Sequence, residues 1–169
     1  MADVTTAERL GLQDQMAAFN KALLGEDPLG VVIRAHIYIE HQVIEFIRAR
    51  MSPPEALDAL ELDYAGRVKL ALALGLPAEF KAALSFIGTL RNQFAHRLDA
   101  KIDKQTANSF EVAIGAAKAI AHDNYIATKA KTGQTAAPIK QLTPDDRAIL
   151  YFVTLWSGIA VEVFRARGE

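Results

Sequence analysis

Three polar side chains stand at a spacing that could do chemistry: Arg91, Asn92 and His96, inside the run Arg91-Asn92-Gln93-Phe94-Ala95-His96. A histidine titrates near neutrality and can move a proton from a hydroxyl nucleophile. A guanidinium or an amide beside it can stabilise negative charge developing on a phosphate or carbonyl oxygen. The same residues also admit a structural role. On a helix, which turns about 100° per residue, Phe80, Leu84, Ile87, Phe94 and Leu98 fall within roughly 40° of a common line, and Arg91 lands among them. An arginine on a core-facing stripe keeps its charge and must find a partner. His96 points almost the other way, with Asn92 one turn before it.

A helix over 80–98 must position these groups, and a second helix, about 31–50, offers the matching carboxylate. Ile33, Ile37, Ile44 and Ile47 make its apparent stripe, with Glu40 among them. A buried carboxylate is as costly alone as a buried arginine, so the sequence predicts a core pair between Glu40 and Arg91, made by a two-pronged contact. His36 and His41 precede Glu40 and Glu45 by four residues each, one helical turn. Neither pair fits a zinc signature, so no metal site is expected. With no phosphate-binding loop, nucleophile elbow or dinucleotide fingerprint, no cofactor is expected either.

Helical periodicity runs through the remaining chain without an alternating strand. Thr5 with Glu8 fits a capping box for a first helix that buries Leu12, Met16, Phe19 and Leu23 and stops at Gly25. Glu26 to Gly30 reads as a turn. Pro53 and Pro54 open a short helix, and Asp63 caps another that ends at Gly75. A long helix over 106–129 would place Phe110, Ile114, Ala117, Ala121 and Tyr125 on one side. After a surface loop at 131–142, Thr143, Pro144, Asp145 and Asp146 start the last helix with a strong cap. Its body is apolar on nearly every side, which calls for a central position or burial against a second subunit. With limited room for a central helix in so small a chain, a homodimer is the expectation, through this helix or the face bearing His96.

At 169 residues and 51% hydrophobic, the chain can bury one substantial core. The reading is therefore all-α: a single bundle of six or seven helices over 1–169, with its core in 31–98 and 106–166. The formal charge of −1 and the absence of cysteine exclude a global electrostatic partner, disulfides and thiolate chemistry. The run 148–161 is too short to cross a bilayer, and the first residues lack signal-peptide features, so a soluble cytoplasmic protein is expected.

The Arg-Asn-x-x-x-His run, preceded by Leu72-Ala73-Leu74-Gly75-Leu76, resembles the HEPN superfamily of α-helical bundles, over about 31–98. More narrowly, it resembles the branch that contains the mannitol operon repressor family. That resemblance implies a HEPN-like bundle and two competing functions. One is a regulatory module of a sugar-alcohol operon without an evident DNA-reading element, so that direct DNA binding is not expected and a protein partner is. The other is a metal-independent, toxin-like endoribonuclease, with RNA as substrate and Arg91, Asn92 and His96 as the matching site positions.

Overall fold

The computed structural model describes residues 6–97 and 99–168, with side chains from residue 11 onward. Seven α-helices and two short 3-10 turns account for its regular structure, with no strand among the described residues. The order is α1 (Thr6–Leu23), α2 (Pro28–Arg50), a 3-10 helix (Pro54–Leu60), α3 (Tyr64–Ala73), α4 (Phe80–His96), α5 (Lys104–Ile114), α6 (Ala117–Lys131), a 3-10 turn (Ile139–Gln141) and α7 (Pro144–Arg167). The chain is an all-α bundle around one contiguous core.

Side-chain caps explain most of the helix starts. Asp27, Asp63 and Asp103 each accept from the backbone N–H three residues on, at 2.7, 2.7 and 2.8 Å. Asp27 with Pro28 behind it starts α2 three residues earlier than the expected turn allowed. Thr143 accepts from the Asp146 N–H at 3.1 Å and opens α7 as expected. The expected capping box at Thr5 and the last position of the α4 stripe, Leu98, lie outside the described residues.

Three expectations need correcting. The single helix over 106–129 is two, α5 and α6, because Gly115 takes φ +59 and breaks the ladder after Ile114. The buried face of α2 is not the isoleucine line. Val32, Ala35, Ile39, Val43 and Phe46 carry it; of the four expected isoleucines Ile47 is fully buried, Ile33 and Ile44 are half-buried and Ile37 is 58% exposed. Finally, the small chain does have room for a central helix, and α7 takes that position. It runs along α2 and also touches α5, α6, α1 and α4, burying Tyr151, Phe152, Leu155, Trp156 and Ile159. Among the described residues α7 alone is long and apolar enough to span a membrane by length and composition, and 56% of that apolar window is buried within the bundle.

Candidate functional site

The helix α4 faces the core with Ala83, Leu84, Ile87, Leu90 and Phe94. Including Ala83 and Leu90 moves the centre of that face roughly 50° from Arg91. Arg91 is accordingly exposed, and its Nη1 donates to the Asn92 side chain at 3.1 Å. Glu40, roughly 100° from the centre of the true α2 face, leans towards α3 instead. There its carboxylate accepts from Arg67 Nη1 at 2.6 Å. The expected Glu40–Arg91 core pair is therefore replaced by Glu40–Arg67, half-buried on the flank of the bundle.

Arg91 and Glu40 still belong to one place. A cleft of about 570 Å³ opens between α2, α3 and α4, with His36, Glu40, Tyr64, Gly88, Arg91 and Asn92 around it. The His36 ring lies 4.5 Å from the Tyr64 ring, and its Nδ1 is 3.7 Å from Glu40 Oε2. Tyr64 donates its hydroxyl to the Leu84 carbonyl at 2.9 Å, anchoring α3 on α4. Gly88 permits that contact: a Cβ there would sit 2.8 Å from Tyr64 Cε1. Burial lowers the His36 pKa; Glu40 opposes this, and the positive charge of Arg91 adds to it. The balance favours the neutral imidazole. Burial also raises the Tyr64 pKa, with the Glu40 carboxylate adding to the effect.

His96 does not line this cleft; it ends α4, exposed. The six-residue run is thereby split. Arg91 and Asn92 stand at the α2–α3–α4 cleft, and His96, one turn beyond Asn92 at the end of α4, lies past it. His41 is exposed. The sequence pattern gave His36 and Glu40 as neighbours but missed Tyr64 and Arg67, whose only signal was the Asp63 cap that fixes the phase of α3. No family model, curated protein or solved structure matches the chain.

These positions predict opposite mutational outcomes. Arg91→Gln is expected to change stability by no more than about 0.5 kcal/mol, as for other exposed positions. Glu40→Gln weakens a charge-assisted bond on a half-buried flank and should cost about 1 kcal/mol or somewhat more. Urea midpoints of the two variants check this; a loss of several kcal/mol in Arg91→Gln would mean that the arginine is structural after all.

Proposed function

We propose that the chain is a regulatory interaction module of the kind found in the mannitol operon repressor family, acting through protein contacts as a pair of like subunits. The observation that carries this reading is an apolar groove of about 710 Å³ between the start of α4, the α5–α6 junction and the outer side of α7. Val112 and Ile120 stand on its walls, 81% and 58% exposed. Large apolar side chains left open around a concave surface mark an interaction face. A second copy is the occupant that the charge pattern favours. The groove is lined by Glu79, and by Glu162 which Arg165 already pairs, but by no lysine or arginine. Beside it, α6 carries Lys118, Lys129 and Lys131 along with exposed Ile120 and Ile126. A two-fold contact uses the same patch on both subunits, so a groove and its complement on one face suffice.

Contact with protein rather than duplex DNA is supported by how three of the four arginines at the ends of α2 and α7 are used, the fourth, Arg50, lying over the Phe46 ring. Arg48 bonds Asp58 at 3.1 Å, Arg167 bonds Glu45 at 2.6 Å, and Arg165 bonds Glu162. Cations neutralised this way displace few counterions from a phosphate backbone. Sedimentation equilibrium tests the reading: the parent should show twice the monomer mass, and Val112→Glu with Ile120→Glu should be monomeric. A parent that stays monomeric at high concentration rejects it.

The exposed Arg91 favours a second reading, a metal-independent ribonuclease. Its charge is uncommitted to any carboxylate among the described residues, with Asn92 beside it and His96 open to solvent. In such a site His96 takes the 2′-hydroxyl proton while Arg91 and Asn92 stabilise the pentavalent phosphate. Arg91 and His96 are roughly 140° apart on the helix, so one phosphodiester would be reached by residues of two copies. RNA incubated with the protein in EDTA separates the readings. Cleavage that His96→Ala abolishes installs the nuclease; intact RNA retains the regulatory module.

A further inference from the structure

The cleft between α2, α3 and α4 holds more positive charge than the fold uses. Lys69 of α3 and Lys81 and Arg91 of α4 line it, all three exposed, and none has a carboxylate partner among the described residues. Both carboxylates lining the cleft are engaged: Glu40 by Arg67, and Asp63 by the backbone N–H of Gly66 that it caps. Like charges gathered around a concave, partly apolar surface focus their field on the space between them. The same wall carries the hydroxyl of Ser85, while that of Thr89 already donates to the Ser85 carbonyl at 3.1 Å. Val68 and Leu72 supply an apolar floor. A volume of about 570 Å³ is that of a small-molecule site.

We propose that this cleft binds a small phosphate monoester, its phosphate beside Arg91 and its organic body over Val68 and Leu72, towards Lys69 and Lys81. Three uncommitted cations along one cleft favour a phosphate near −2 over a single carboxylate of −1 through their combined field. The site does not depend on self-association, since its cations come from α3 and α4 of one chain. His36 reports on occupancy. The groups facing it are Glu40 on its own helix, Tyr64 from α3 and Arg91 from α4. A dianion beside Arg91 offsets that guanidinium's repulsion of the imidazolium, so binding should raise the pH at which His36 titrates.

The test is calorimetric titration of the full chain with ribose 5-phosphate, glycerol 3-phosphate and glucose 6-phosphate, with ribose and citrate as further arms. At least one ester should bind saturably, with ribose silent and citrate weaker. Arg91→Gln should weaken binding about tenfold or more, the effect of losing one charge-assisted contact, and Lys81→Gln, also at an exposed position, should weaken it by less. The His36 ring signal, followed by NMR across pH, should move its midpoint upward on ligand addition. Absence of saturable binding by all three esters overturns the proposal, as does equal binding of citrate. So does binding that ignores both substitutions and leaves His36 unmoved.

Discussion

Glu111→Ala should destabilise the protein by about 3 kcal/mol at pH 7. Arg147, only 4% exposed, enters the core on the first turns of α7, and Glu111 of α5 meets it at 2.6 Å. Tyr151, one turn further along α7, donates its hydroxyl to the same carboxylate oxygen at 2.9 Å. Removing Glu111 leaves a buried guanidinium without its counter-charge, and the Arg147 Nε is already without a partner. The lower end of the usual range applies, because the carboxylate side of the pair keeps 22% of its surface open to water. Arg147→Met in the Glu111→Ala background should recover most of the loss, since it removes the stranded charge and keeps the packing. The pH dependence follows with a definite sign. Burial pushes the Glu111 carboxyl up, but the hydrogen bonds from Tyr151 and Arg147, with the arginine's charge, hold it below 4.5. A depressed carboxyl contributes fully above its unfolded pKa, and that contribution is lost as pH falls through the folded value. The stability gap between parent and variant should therefore be flat from pH 7 to about 5 and close below about 4.5. A gap that stays constant to pH 3 in denaturant titrations would mean that packing, not charge, is its source.

The sequence led to the wrong buried arginine for a definable reason. A wheel drawn through the most obvious apolar residues of α4 omitted Ala83 and Leu90, and on α2 the four isoleucines outweighed a quieter line of valine, alanine and phenylalanine. Isoleucine exposed at a subunit contact or on a flank looks the same in sequence as isoleucine in the core. Arg147 gave a weaker signal, because on an early turn of a helix apolar all round it reads as a solvated end. Its partner is 36 positions away in a helix that the periodicity had run together with the next. What was legible was local: the Asp63 and Thr143 caps, the stop at Gly75 and the helical class of the whole chain. Each depends on bonds within a few residues, whereas the site depends on which helices meet. The angle between Arg91 and His96 was legible too, because both lie on one helix whose turn is fixed, but Arg91 is exposed rather than inward and Asn92 shares the cleft with it.

Phe110→Ala should cost about 3–5 kcal/mol, the range for emptying a fully buried aromatic site. Phe110 is completely enclosed, and three rings surround it: Phe86 of α4 with centroids 5.0 Å apart, and Tyr151 and Phe152 of α7 at 5.6 and 4.9 Å. The contacts with α7 are edge-on and that with Phe86 is stacked, arrangements worth about 0.5–1.5 kcal/mol each beyond the area buried. The next residue along α5 is Glu111, so the ring that seats α5 on α7 also sets the carboxylate against Arg147. Phe110→Ala and Glu111→Ala should for that reason be non-additive, the double variant losing less than the two single losses combined. Val112, two residues on, stands on the apolar groove between α4, α5–α6 and α7. Loosening α5 should then weaken self-association under conditions where circular dichroism still reports a folded bundle. Phe110→Leu, which keeps most of the volume, should cost about 1.5 kcal/mol and leave the oligomer intact. Denaturation and sedimentation of the two variants decide the point: a Phe110→Ala loss below about 2 kcal/mol would show that the ring cluster does not anchor α5.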